Sequence, residues 1–255
     1  MESLSTNETR TGENLYNDLL RWKVEQNEHL ESQLLQVDNR NDFFSSLETI
    51  KNEITDDGKL PFIHLEIHGS IDKNGLVLNS GKLVTWLELA NRFREINLLT
   101  NHNLVVSLAT CFGAYIYREM RLTDTAPFWG FVAPWEEVET GDVEISFNSF
   151  FDTLLNLFDF NKAIKSLNES NQLPYRYHFY NAEEVFDRVF SKYEGDSYSP
   201  ENYRKRVHDL MSQALADYNV RNTMTIHEVR QFIEDQLNNE KDNFRIEYKK
   251  RFLME

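Results

Sequence analysis

Blocks of apolar residues with two different periodicities follow one another along the chain and predict alternating helices and strands. Apolar residues at helical intervals predict helices over residues 14–32, 41–54, 86–96, 114–122, 147–158 and 159–170. Short runs rich in large apolar side chains predict strands over 33–37, 60–69, 102–113, 127–135 and 175–182. This alternation is typical of an α/β fold, in which helices cover a mostly parallel sheet.

The polar stretches between these blocks predict turns, a hairpin and the ends of the chain. Asn-Gly and Ser-Gly pairs within residues 70–82 predict a hairpin or an ordered loop. Thr85 and Glu88 have the spacing of a capping box, so we expect a helix to begin at residue 86. Residues 1–13 are polar, and we expect them to be frayed. From about residue 182 the pattern is charged and helical, with one break inside 195–202.

Composition narrows the class of protein. Apolar residues make up 40% of the 255 positions, enough for a sizeable core, and no apolar run reaches the roughly 20 residues of a membrane span. The formal charge of −15 disfavours nucleic acid and anionic membranes as partners. One cysteine excludes an intrachain disulfide, so together with the lack of a leader-like start we expect a reducing, cytoplasmic location.

The single cysteine and one histidine each stand at the end of a predicted strand, directly before or near a glycine. The first strand ends in His68-Gly69, and the second ends in Cys111-Phe112-Gly113. If these strands are parallel neighbours, both side chains emerge at the same edge of the sheet, where ligands bind in α/β proteins. A thiol needs a base beside it to act as a nucleophile at neutral pH, and an imidazole is suited to that role. The competing interpretation of Cys111 is a small buried core residue.

This order and spacing resembles the caspase-like cysteine peptidases. The resemblance rests on His68-Gly69, on the run Ala109-Thr110-Cys111-Phe112-Gly113, and on the glycine-containing loop and helix between them, which look like the bacterial branch called CHAT. It covers residues 33–190 and implies a caspase-like, mostly parallel sheet flanked by helices on both faces. We therefore expect an N-terminal polar arm and helix (1–32), a peptidase core (33–190) and a helical C-terminal extension packed on the core (191–255).

The resemblance also implies roles for individual residues. Cys111 would be the nucleophile of an endopeptidase, His68 the general acid and base, and the backbone N–H groups of Gly69 and Cys111 the oxyanion hole, with no cofactor or metal. Bacterial relatives often cleave a dedicated protein target under the control of another protein, frequently in antiviral defence or cell death. A protein substrate and a regulatory partner are thus expected. One departure is that the family opens with a strand, whereas residues 14–32 predict a helix, so the sheet edge is built differently or completed by a partner.

An acidic loop follows the predicted strand over 127–135 and bears on substrate choice. In caspase-like folds the loops at this end shape the substrate cleft, and carboxylates there favour a basic residue before the cleaved bond. The alternative is an ordinary solvated loop, and we interpret Trp135 beside it as a core residue. The candidate substrate-binding residues are Glu136, Glu137, Glu139, Asp142 and, from the loop after the helix over 114–122, Asp124.

Two functions of other classes stay open. One is an inactive caspase-like scaffold that binds proteins through its acidic surface and helical tail. The other is a zinc hydrolase, because His64, Glu66 and His68 alternate along the strand and share one face. If His64 and Glu66 bind no metal, they are buried polar residues, with Glu66 supporting a local hydrogen-bond network.

Overall fold

The computed structural model describes residues 1–170 and 177–255, which group into two compact units. The first unit contains residues 1–120 and 126–182, and the second contains residues 121–125 and 183–255. The strand predicted over 175–182 begins at residue 175, which lies outside the described residues.

The described residues form strands and helices with the following bounds. The strands are β1 (Glu2–Ser3), β2 (Phe62–Gly69), β3 (Gly75–Val77), β4 (Leu83–Thr85), β5 (Val105–Leu108), β6 (Gly130–Pro134) and β7 (Tyr177–Asn181). The helices are α1 (Thr11–Leu15), α2 (Arg21–Glu25), α3 (Arg40–Asp57), α4 (Trp86–Leu99), α5 (Thr140–Leu157), α6 (Phe160–Glu169), α7 (Ala182–Ser197), α8 (Pro200–Ala216), α9 (Tyr218–Thr223) and α10 (Ile226–Leu253). A π-helical turn (Tyr16–Leu20) joins α1 to α2, and a 3₁₀ helix (Gly113–Glu119) follows β5.

One open, seven-stranded sheet organises the first unit, in the order β4-β3-β2-β5-β6-β7, with β1 added alongside β2. β1, β2, β5 and β6 run parallel, whereas the β3–β4 hairpin and β7 run antiparallel. The prediction of an α/β fold with a mostly parallel, helix-flanked sheet is confirmed at this level. The antiparallel strands lie at the two edges, and the predicted hairpin is one of them.

The pairing of β2 with β5 determines where the strand ends meet. The two strands are parallel, and Leu65 lies opposite Leu108. His68 and Cys111 each lie three positions beyond this pair, counting from 65 to 68 and from 108 to 111. Equal offsets on parallel neighbours bring both residues to the same edge of the sheet.

The N-terminal segment differs from its prediction. Residues 1–13 are not frayed, because β1 pairs in parallel with β2 at Glu66 and Ile67, and Glu2 and Ser3 are buried. The strand predicted over 33–37 is reduced to one bridge, from Gln36 to Glu2. A strand does therefore precede the first helix, and it is formed by residues whose polarity predicts a frayed end.

Phenylalanine packing holds α5 onto the sheet. Phe147, Phe150 and Phe151, the residues predicted for the core side of this helix, are buried in one cluster with Ala109 and Val132 of the sheet region. The capping box of α4 is also confirmed, since Thr85 and Glu88 satisfy each other's backbone N–H groups. The helix predicted over 114–122 is instead the 3₁₀ helix, which keeps the chain tight directly after the cysteine.

The second unit is helical and has its own apolar cluster. Val207 of α8 packs with Val229, Ile233 and Leu237 of α10. Ion pairs across this unit join Arg245 to Asp187 and Lys249 to Glu183. The charged helical pattern predicted beyond residue 182 is thus confirmed, with the break between α7 and α8 at residues 198–199.

Candidate active site

Backbone contact joins the histidine and cysteine strand ends. A Cβ atom built on Gly69 would lie 1.8 Å from the carbonyl oxygen of Cys111 and 2.7 Å from its carbonyl carbon. Such distances are far below any real contact, so only glycine allows this approach. The glycine after His68 is therefore what lets the two strand ends come together.

His68 projects into solvent and is held by a carboxylate from the N-terminal segment. Its Nε2 atom lies 2.8 Å from Oε1 of Glu8, and 53% of its side chain is exposed. Hydrogen bonds with Ser5, led by the backbone one, lower the pKa of Glu8, and His68 adds to that shift. Glu8 is thus ionised at neutral pH and orients the ring, leaving Nδ1 as the nitrogen that Glu8 does not contact.

Cys111 is partly exposed and sits in a tight turn. The backbone N–H of Val138 donates to its sulfur at 3.4 Å, and the sulfur lies 3.7 Å from the Val138 carbonyl oxygen. Phe112, the next residue, has φ 60° and ψ 19°, a left-handed conformation that is uncommon outside glycine. Within the described chain, the Cys111 N–H donates to no acceptor. Strain and an unused N–H group directly at a cysteine are features found at functional sites.

Three adjoining cavities form a cleft that passes the sulfur. The histidine cavity, about 220 Å³, is lined by residues that include Glu8, His68 and Cys111. The cysteine cavity, about 460 Å³, is lined by Gly69, Ile71, Cys111, Phe112, Glu137, Val138 and Glu139. The aromatic cavity, about 550 Å³, is lined by Lys73, Phe112, Tyr115, Trp135, Glu136 and Glu137. Cys111 lines the first two cavities and Phe112 the last two, so the candidate nucleophile and the residue after it are shared between neighbouring cavities.

The five acidic candidates for substrate binding separate into two groups. Glu136, Glu137 and Glu139 line the cleft, and the Glu136 carbonyl also accepts a hydrogen bond from the Phe112 N–H at 3.1 Å. Asp142 lies in the first turn of α5 and lines none of the three cavities. Asp124 belongs to the short segment that groups with the second unit. Neither Asp142 nor Asp124 lines any of the three cavities.

A second histidine–glutamate pair on β2 is buried and fully bonded. His64 Nε2 lies 2.9 Å from Glu66 Oε1, and its Nδ1 lies 2.7 Å from the Ser107 hydroxyl. Because a carboxylate only accepts, Nε2 is the donor, and Nδ1 of the neutral ring accepts from Ser107. Burial lowers the pKa of His64, and the bond to Glu66 offsets part of that shift. The hydrogen-bonded series of Ser107, His64 and Glu66 has the residue types of a serine hydrolase triad. Ser107 has no exposed surface, however, and cannot contact a substrate.

The same bonds argue against the zinc alternative. Both ring nitrogens of His64 are occupied, and His68 turns to Glu8 instead of towards Glu66. Over residues 1–170 and 177–255, no group of three or more His, Cys, Asp or Glu side chains could hold a metal ion. His64 and Glu66 fit the alternative in which they bind no metal and form a local hydrogen-bond network. Glu66 also accepts a hydrogen bond from the Thr11 hydroxyl.

Two residues that line the cleft, Glu8 and Trp135, are not among the site residues predicted from the sequence. Glu8 lies 60 positions from His68 in a segment predicted to be frayed, so no local signal pointed to it. Trp135 is half-buried and lines the aromatic cavity, and is not the core residue expected. For Trp135 a signal existed, because it directly precedes the acidic pair Glu136-Glu137 that was assigned to the substrate cleft.

Comparison with known proteins adds no family assignment. No protein-family model matches the chain, and no curated protein is significantly similar to it. In the part of the chain that the structure describes, none of the helices combines the length and the hydrophobicity needed to cross a bilayer. The case for a function therefore rests on the cleft itself.

Proposed function

We propose that this chain is a caspase-like cysteine endopeptidase in which Cys111 is the nucleophile and His68 the general acid and base. The observation that carries the proposal is that both side chains line one cavity, at the end of parallel strands joined through Gly69. A thiol and an imidazole at one cavity are the minimum for acyl transfer through a thioester.

The roles follow from the contacts of each group. His68 takes the proton of the Cys111 thiol, and the sulfur attacks the carbonyl carbon of the peptide bond. The N–H groups of Cys111 and Gly69 hold the oxyanion of the tetrahedral intermediate. The intermediate collapses as His68 returns its proton to the leaving amine. Water then attacks the thioester and gives a proton to His68. The carbon–sulfur bond breaks, the Cys111 sulfur takes that proton back from His68, and the carboxylic acid product leaves.

Glu8 is proposed as a positioning residue. Its carboxylate contacts Nε2 of His68, which fixes the ring and stabilises the imidazolium that forms during proton transfer. The left-handed Phe112 turns the chain sharply after the nucleophile, so the sulfur stands at the surface of the cleft. Exposed Ile71, at 87% exposure, offers apolar surface beside the sulfur to a substrate side chain.

The substrate and control of the enzyme belong to the same proposal. The groove past Cys111 is open, which suits an extended protein segment as substrate. A cytoplasmic location and a regulatory protein partner are further parts of the proposal, and the resemblance to the CHAT branch is their support.

The deciding experiment is alkylation of Cys111 by peptidyl chloromethyl ketones, followed by mass spectrometry of the intact protein and of its peptides. We expect one adduct, on Cys111, formed much faster than with iodoacetamide at equal concentration, because the cleft binds the peptide portion. Cys111→Ala should give no adduct. If peptidyl ketones and iodoacetamide react equally slowly, and His68→Ala reacts at the same rate, the chain is the inactive scaffold and the peptidase proposal is wrong.

A further inference from the structure

The aromatic cavity beside the thiol is built from three rings at steep angles to one another. Phe112 and Tyr115 have centroids 6.2 Å apart with planes at 87°, and Tyr115 and Trp135 have centroids 5.2 Å apart with planes at 69°. Trp135 is held in place because its Nε1 donates to the Tyr180 hydroxyl at 2.7 Å. The ring faces and the carboxylates of Glu136 and Glu137 line one concave space. Ring faces and carboxylates both attract cations.

A cation from the same chain already occupies this space. The ammonium nitrogen of Lys73 lies 4.6 Å from the Phe112 centroid and 5.3 Å from the Tyr115 centroid, within the range of cation–π contacts. Among the described residues, no carboxylate lies within 4.0 Å of this nitrogen. Lys73 is therefore held mainly by the rings, which is a weak form of attachment that another cation could replace.

The backbone at Lys73 is anchored, so only its side chain is free to leave. Lys73 has φ 58°, its N–H donates to the Ser70 carbonyl, and its carbonyl accepts from Nε1 of Trp86 at 3.0 Å. Trp86 is itself buried at the start of α4. A left-handed lysine costs free energy that asparagine or glycine would largely avoid, yet this conformation directs the side chain to the cavity.

We propose that the aromatic cavity binds a lysine or arginine side chain of the substrate, next to the cleaved bond, and that Lys73 fills the cavity in cis until that side chain displaces it. This inference rests on the proposed peptidase function. Phe112 follows the nucleophile and lines both the cysteine and the aromatic cavity, so the side chain of the substrate residue that carries the reacting carbonyl is placed to enter. The ammonium or guanidinium group of the substrate would contact the same rings that Lys73 contacts. A side chain that is long enough would also reach the carboxylate of Glu136 or Glu137.

The test compares four peptidyl chloromethyl ketones that differ only in the residue at the reactive end: lysine, arginine, norleucine or aspartate. Norleucine has nearly the shape of lysine without its charge. We expect lysine and arginine probes to alkylate Cys111 about fivefold faster than norleucine, as a weak charge contact implies, and aspartate to react slowest. The Glu136→Gln, Glu137→Gln double variant should bring the lysine-to-norleucine ratio towards one.

Lys73 is tested by Lys73→Asn, since asparagine tolerates the left-handed conformation and keeps the loop unstrained. In this variant the lysine and norleucine probes no longer have to displace Lys73, so both should alkylate Cys111 roughly fivefold faster than in wild type, the size of a surface cation–π contact. The matched control is Arg118→Ala, because Arg118 lies 4.2 Å from the Tyr115 centroid but does not line the cavity. That variant should change the rates with the lysine and norleucine probes by less than about twofold.

The outcomes separate the two proposals. Equal rates with lysine, norleucine and aspartate probes, in wild type and Lys73→Asn alike, overturn the cation cavity while leaving the peptidase standing. An aspartate probe that reacts fastest does the same. Failure of every probe to alkylate Cys111 overturns the peptidase and the inference with it. Faster alkylation by both the lysine and the norleucine probe in Lys73→Asn, with nearly unchanged rates in Arg118→Ala, supports displacement of Lys73 by the substrate.

Discussion

The middle of β2 and its carboxyl end each hold a histidine against a glutamate, and the two pairs differ in their surroundings. His64 lies between the rings of Phe147 and Phe151, at 4.5 and 5.3 Å, and both of its nitrogens are bonded. His68, four residues further on the same face, is more than half exposed and lines a cavity together with a thiol. The residue types are the same, so burial and the number of bonded ring nitrogens separate a structural histidine from a candidate for proton transfer.

The difference also shows what a buried polar chain contributes. Ser107, His64, Glu66 and Thr11 satisfy one another between β2, β5 and α1, which ties the N-terminal segment to the sheet. That segment then carries Glu8 to His68. The buried pair thus supports the exposed pair through the backbone, and substitutions at the two histidines should have opposite consequences for activity and stability.

The largest expected effect is on reaction rate at His68. His68→Ala should slow alkylation of Cys111 by a peptidyl chloromethyl ketone by about 10²- to 10⁴-fold, the usual contribution of a general base. Its free energy of unfolding should change by less than about 0.5 kcal/mol, because the side chain is exposed. Rates measured by mass spectrometry against time check this. A wild-type rate in His68→Ala would mean that another group activates the thiol.

The next effect is on stability at His64. His64→Ala removes the partner of the Ser107 hydroxyl, leaves the Glu66 carboxylate with Thr11 alone among its described side-chain partners, and removes a ring packed against two phenylalanines. We expect the free energy of unfolding to fall by about 2–4 kcal/mol, measured by urea denaturation at pH 7.5. His68→Ala is the matched control on the same strand face. Equal losses in the two variants would contradict the contrast between the two pairs.

The pH dependence of unfolding gives this second prediction a further readout. Burial holds the pKa of folded His64 below the ordinary value of 6.5, so below about pH 6.5 the unfolded chain binds a proton that the folded chain does not. As the pH is lowered below about 6.5, the free energy of unfolding therefore decreases. The slope from this one group is at most about 1.4 kcal/mol per pH unit. At pH 7.5 both states are neutral and the contribution vanishes. His64→Ala should show a shallower acid slope than wild type.

The smallest effect is expected at Glu8. Glu8→Gln keeps the size of the side chain but removes its charge, so His68 is oriented less well and the imidazolium loses a counterion. We expect kcat on a cleaved peptide to fall by about tenfold with little change in KM, since Glu8 acts through His68 rather than on the substrate. Glu8→Asp should recover part of the loss. A change confined to KM would instead place Glu8 in substrate binding.

Local pattern predicted the elements that frame the site. The apolar runs that end in His68-Gly69 and near Cys111 are the parallel neighbours expected, and the capping box at Thr85 begins a helix as predicted. These features depend on side chains within a few positions of each other, where periodicity and turn chemistry are informative. The same reasoning failed for residues 1–13, because their polarity hides a strand whose partners lie more than 60 positions away.

The sequence by itself determined the α/β alternation, the acidic charge, the single thiol and the glycine that permits two strand ends to touch. Tertiary structure decided which histidine is buried, brought Glu8 to the other one, and placed Lys73 over the rings beside Cys111. The reason is physical: element type follows from short-range periodicity, whereas exposure, ion pairing and cavity shape depend on which distant segments pack together. For that reason two histidines on one face of one strand become a structural residue in one place and a candidate catalytic group in the other.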